Sequence, residues 1–167
     1  SLQQIVSRIV PATIPTVLSF GRIEGLGATN IIPKKVKLEG TLRTLDEHWR
    51  DILKEKIRLI ATSTAQSYGC ECIVDIKNGY PMVFNHEETT EKATLLAKQY
   101  LDESQVEDME LRMTAEDFGY YSQIYPSVYY RFGVSQPDNT TGNLHTSKFN
   151  LNERSLETSC GVMAWLA

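Results

Sequence analysis

Three groups of residues have side-chain types and settings suited to chemistry. His145 sits in the string LHTSKF, within a polar stretch from Ser135 to Lys148 rich in Gly, Asn and Thr. A neutral imidazole displayed on a loop is a good metal ligand, and loops are where functional side chains are commonly presented. A solvated loop histidine is the plain alternative. Thr114, Glu116 and Asp117 in TAEDF read as a helix start, with Thr114 as cap and two carboxylates at the positive end of the dipole. Such a start could be ordinary capping, or it could border the same cleft as His145. Asn30 and Arg43 form the third group. An Asn amide and an Arg fork suit a substrate carboxylate, because the guanidinium can give paired charge-assisted bonds; a turn Asn and a surface Arg are the alternatives.

The remaining metal-type ligands are scarce. His48 and His86 stand at helix starts beside acidic residues, where solvated or capping roles suffice. Cys70 and Cys72 are neighbours at i and i+2, which suits small half-buried strand residues better than metal ligands. With three His and three Cys in all, the chain is poorly stocked to build a two-metal site by itself. No GxGxxG, Walker loop, GxSxG or HExxH string occurs, which removes those nucleotide and hydrolase readings.

These residues must be held by regular elements. Leu2, Ile5, Val6 and Ile9 have helical spacing, and Pro11 and Pro15 end the helix. That helix has no N-cap ahead of it, so the chain reads as a fragment. Strands are expected at Thr16–Glu24 and Val36–Arg43, joined by the ordered connection 25–33. Asp46 should cap a long helix whose apolar stripe runs from Trp49 to Tyr68 and stops at Gly69. Alternation predicts a half-buried strand at Cys70–Ile76. After the turn at 79–85, a helix is expected over His86–Leu101, a strand over Val106–Met113, a helix over Ala115–Tyr125, a strand over Ser127–Val134 and a helix over Asn152–Ala167. The fold class is thus mixed, α+β with α/β: a partial split βαβ, ferredoxin-like block lacking its first strand, then an α/β segment.

Composition narrows the function classes. The chain has 167 residues, 17 Lys+Arg against 21 Asp+Glu, a net charge of −4 and a mean hydropathy of −0.28. No basic cluster is dense enough to neutralise a run of phosphates, so a nucleic-acid surface is not expected. No run of apolar residues is long enough for a membrane span, and the odd cysteine count does not make a disulfide framework. A cytoplasmic setting is the expectation.

The ordered set IEGLGATNIIP, VKLEGTLRT, a long helix ending at SYG, GYP, TAEDF, LHTSKF and a closing helix resembles the co-catalytic metallopeptidase and amidohydrolase family, which includes aminoacylases, hippurate hydrolases, carboxypeptidases and auxin-conjugate hydrolases. The amidohydrolase branch is the better match. The resemblance implies that residues 1–83 form most of a lid and dimerisation domain, and that 84–167 form the end of a metallo-exopeptidase-type catalytic domain. It implies that His145 is a metal ligand, that Asn30 and Arg43 contact the carboxylate end of the substrate, and that Glu116 and Thr114 border the metal site. It further implies two divalent ions such as Zn, Mn, Co or Ni in the intact enzyme, a homodimer formed through the lid, and hydrolysis of N-acyl amino acids or small peptides by a metal-activated water. The other ligands and the general-base Glu have no match in this chain, so the chain by itself is expected to be inactive and to bind no metal. An isolated association module and a carboxylate-binding module without catalysis are the alternatives.

Overall fold

The computed structural model describes every residue except Pro137 and Asn139. The chain divides into two compact units. Ser1–Met82 with Arg112–Glu116 make the first; Val83–Leu111 with Asp117–Ala167 make the second. The sequence reading set its boundary near Val83 and did not anticipate the return of Arg112–Glu116 to the first unit.

In the first unit, helix α1 (Gln4–Arg8) buries Ile5 completely. Strands β1 (Thr16–Glu24) and β2 (Lys37–Thr44) pair antiparallel in the register Thr16 with Thr44 and Phe20 with Gly40. Gly40 is needed there, because a Cβ would lie 2.4 Å from the Ser19 carbonyl oxygen and 2.5 Å from the Phe20 ring; the ring lies across the space that a side chain would fill. The register shifts between Phe20 and Arg22, so Gly21 is the extra residue of a bulge. Burial divides at this point. Leu18, Phe20 and Leu42 pack on the core, while Ile23, Leu26 and Ile32 beyond the bulge are 70, 94 and 90% exposed.

Helix α2 (Glu47–Ser67) closes the unit. Asp46 caps it by accepting the Trp49 amide at 2.8 Å. Its end follows from Gly69, whose φ of +70° lets the Cys70 and Gly69 amides donate to the Ala65 and Gln66 carbonyls at 2.9 and 3.0 Å; this is the Schellman arrangement, which glycine enters without a Cβ clash. Leu53 and Ile57 of α2 complete the core with Ile5 and Leu18.

The second unit is built around helix α3 (Glu87–Leu101) and helix α5 (Arg154–Leu166), which pack on each other. The Tyr100 and Trp165 rings lie 6.1 Å apart. Gly161 makes room for Tyr100, whose hydroxyl would be 1.9 Å from an added Cβ. His86 caps α3, its Nδ1 accepting from Thr89. A 3-10 turn (Glu103–Gln105) and a short helix α4 (Gly119–Ser122) complete the elements among the described residues.

Three expected strands lack a paired ladder. Cys72, Val74 and Ile76 are half-buried between exposed Glu71, Ile73 and Asp75, so the alternation is real, and Val74 and Ile76 touch the core. Yet among the described residues β1 and β2 are the only paired strands. Residues 106–113 and 127–134 are likewise irregular. In the latter a side chain replaces a neighbouring strand: the Asn85 amide accepts from the Tyr129 N–H at 2.7 Å and donates to its carbonyl at 3.0 Å. The helix expected over Ala115–Tyr125 shrinks to α4, with Phe118 at its N-cap position and no side-chain cap bond. Thr114 is therefore not the N-cap of α4. Glu116 ends the segment assigned to the first unit and Asp117 begins the second, so the chain changes units where the helix was expected to start.

Candidate functional site

His145 belongs to the second unit, on a loop whose backbone is closed by its own hydrogen bonds. Asn150 N–H donates to the Thr141 carbonyl at 2.7 Å, Phe149 N–H to the Thr146 carbonyl at 3.1 Å, and the Thr146 hydroxyl to the Asn143 carbonyl at 2.7 Å. Gly142 enters with φ +70°, where a Cβ would strike the Lys148 carbonyl oxygen at 2.6 Å. At the head of this loop Asp138 accepts both the amide and the hydroxyl of Thr140. Those bonds, the hydroxyl's first, hold its carboxyl below the ordinary value of 3.8. His145 itself is exposed and has φ +62°. A β-carbon residue in the left-handed region costs energy that the surrounding closure must hold, a signature common where a side chain is aimed for function.

Arg43 and the Thr114–Glu116 segment are brought together in the first unit. Arg43 Nη1 donates to the Met113 carbonyl at 2.7 Å, next to Thr114. Glu116 is half-buried there. Asn30 is not beside Arg43. It lies in the exposed connection beyond the end of the hairpin, and Arg43 is six residues along β2 from Lys37, or about 20 Å of strand.

Sequence reasoning missed one charged cluster. Glu47 accepts the Met82 N–H at 2.8 Å and the Arg50 Nη2 at 2.8 Å, and Arg50 Nη2 also donates to the Thr44 carbonyl at 3.3 Å. Arg50 Nε is 2.8 Å from Glu47 Oε2, an ion-pair distance, but too bent to be a hydrogen bond. The signal was the i,i+3 charge pair in the first turn of α2. An open groove along α3, lined by residues including Asn85, Glu87, Thr94, Lys98 and Asp108, contains none of the residues singled out from the sequence.

For a metal, the donor set is decisive. Among the described residues no three His, Cys, Asp or Glu gather where an ion could be held. One imidazole does not make a dinuclear centre, so the residues of this chain do not by themselves fit the pair of metals.

Known proteins supply the class. The chain matches peptidase family M20/M25/M40 over residues 3–167 and belongs to that family of hydrolases. It is 33% identical over 152 residues to the uncharacterized hydrolase y4tI of Sinorhizobium fredii, spanning 91% of this chain and 38% of that protein. It is 32% identical over 162 residues to the N-acetyldiaminopimelate deacetylase of Priestia megaterium, spanning 97% and 42%. Among solved structures, it superposes on a proposed aminohydrolase from methicillin-resistant Staphylococcus aureus with a TM-score of 0.82 and 28% identity, covering 99% of this chain and 42% of that one. The Bacillus subtilis YxeP protein, described as a dinuclear metal-binding peptidase of the M20 family, superposes with a TM-score of 0.73 and 25% identity over 90% of this chain and 40% of that one. The chain thus spans about two fifths of the length of these relatives. No helix among the described residues is long and apolar enough to cross a membrane.

Proposed function

We propose that the chain is the C-terminal portion of a divalent-metal-dependent amidohydrolase that cleaves the amide bond of N-acyl amino acids or small peptides. Residues 1–83 serve as lid and dimerisation domain and 84–167 as the end of the catalytic domain, in a cytoplasmic enzyme. The observation that carries this reading is the family match over residues 3–167. The name of the deacetylase relative, whose substrate is an N-acylated amino acid, supports the substrate class.

In this reading His145 is one metal ligand and Glu116 with Thr114 borders the centre. The other ligands and the general base come from the part of the relatives' length that this chain does not span. Arg43 takes the substrate carboxylate. Nη1 rests on the Met113 carbonyl, which leaves the Nη2 and Nε edge for a bidentate contact. Asn30, at the far end of the hairpin, reaches such a carboxylate from the second copy of a homodimer. The exposed Ile23, Leu26 and Ile32 beyond the bulge support pairing of the lid through this arm, because apolar side chains grouped at a surface favour association.

Assay of the full-length protein for metal-dependent release of free amino acid tests the reading. His145→Ala should lower activity by more than the ~10–100-fold that loss of an outer-shell partner costs; a fully active variant overturns the ligand assignment. Sedimentation of the 167-residue chain should show a dimer, and a monomer at every concentration contradicts the association.

A further inference from the structure

We propose that Arg50, braced by Glu47, is a positioning residue that sets Arg43 for the substrate carboxylate. The inference rests on the reading of Arg43 given above and adds a specificity-determining pair outside the site.

Arg43 and Thr44 are consecutive at the end of β2, so their side chains point to opposite faces. Thr44 is only 3% exposed. Its hydroxyl accepts from Thr16 at 3.3 Å, and its carbonyl accepts from Arg50 Nη2 at 3.3 Å. Fixing Thr44 inward, through both its side chain and its backbone, aims Arg43 outward. Arg50 is in turn fixed. Its side chain is 16% exposed and lies against Glu47, which also accepts the Met82 N–H. A hydrogen bond to a charged group in such a partly dry setting is stronger and more directional than one in water.

Both ends of Arg43 are therefore tied within the first unit. The backbone is held through Thr44, Arg50 and Glu47, and the fork is held at Nη1 by the Met113 carbonyl. A bidentate guanidinium–carboxylate contact depends on orientation as well as charge. Loosening the strand end should weaken recognition of the carboxylate without touching the reacting amide.

The test uses the full-length protein with an N-acetyl amino acid and the matching carboxamide. Arg50→Lys keeps the charge opposite Glu47 but replaces the planar fork, whose Nη2 reaches both Glu47 and the Thr44 carbonyl, with a shorter ammonium. It should raise KM for the carboxylate substrate about fivefold, the worth of one ordinary hydrogen bond, and leave kcat and the KM of the carboxamide within about twofold. Glu47→Gln, which retains an acceptor for Met82, should move the same ratio in the same direction. Leu53→Ala, which weakens the core beside α2 without touching the clamp, should leave the ratio unchanged and separates positioning from general destabilisation. An unchanged carboxylate KM in Arg50→Lys, or an equal rise for both substrates, overturns the proposal. Should Arg43→Ala leave the preference for the carboxylate intact, Arg43 is not the carboxylate group, and the reading beneath the proposal fails by a distinct result.

Discussion

The two units are held together in different ways. The first has a dry centre in which Ile5, Leu18, Leu53 and Ile57 meet between a helix and a hairpin. In the second, Val162 is the buried apolar side chain among the described residues, while Tyr121, Ile124, Tyr125 and Trp165 are 61, 70, 64 and 51% exposed. Hydrogen bonds do more of the ordering there: the Asn85 bracket on Tyr129 and the closure of the 141–150 loop. Apolar burial is non-directional and grows with area, so it sets the stability of a unit. Polar closure is directional and fixes a loop's shape with little net stability. The unit with the better core thus carries Arg43 on a strand, and the unit with the poorer core carries His145 on a bonded loop.

The sharpest break of this contrast is Leu53→Ala. Removing a fully buried leucine should cost the first unit about 2–5 kcal/mol. The two tryptophans report the units separately, Trp49 on α2 and Trp165 on α5. Denaturant unfolding followed in single-Trp variants should show the Trp49 transition shifted and the Trp165 transition in place. Coincident shifts would mean that the two units unfold as one.

A smaller effect is expected at the α3–α5 contact. Gly161→Ala would gain about 1 kcal/mol of helix propensity. It also drives a Cβ into the Tyr100 ring and hydroxyl, an overpacking that typically costs about 1–3 kcal/mol. The net sign should be destabilising, read as an earlier loss of Trp165 fluorescence anisotropy on heating. A stabilised variant would show that α5 shifts freely on α3, and that the second unit is looser still.

The smallest effect concerns pH. Asp138 is held below its ordinary value of 3.8 by the Thr140 hydroxyl and amide. A carboxyl depressed in the folded state contributes stability that is present above 3.8 and is lost as pH falls through the lower folded value. The protection of the Thr140 amide against hydrogen exchange, taken relative to the intrinsic rate at each pH, should therefore hold above that value and fall below it, and Asp138→Asn should remove that change. A protection factor that stays constant with pH in the wild-type loop would mean that Asp138 does not hold it.

Legibility in the sequence followed the range of the interactions. Asp46 and Gly69 bracket α2 through bonds made within three to five residues, and both were evident as a cap and a stop. His86 was readable as a cap for the same reason. The strands expected over 70–76, 106–113 and 127–134 had sound side-chain patterns, but a ladder needs a partner that pattern does not name. TAEDF has the residues of a helix start; a crossing between units lies in the middle of it, and no local rule signals that.

The sequence by itself determined α1, α2, α3 and α5, the hairpin and the identity of the chemically able residues, because spacing, caps and side-chain type are properties of short segments. Only the tertiary structure decided that Arg43 rests on Met113, that Thr44, Arg50, Glu47 and Met82 form one clamp, and that Asn30 and Arg43 lie at opposite ends of a hairpin. Each of these joins residues far apart in the chain or depends on the length of an extended strand. Such contacts form only when burial of the core has brought the segments together.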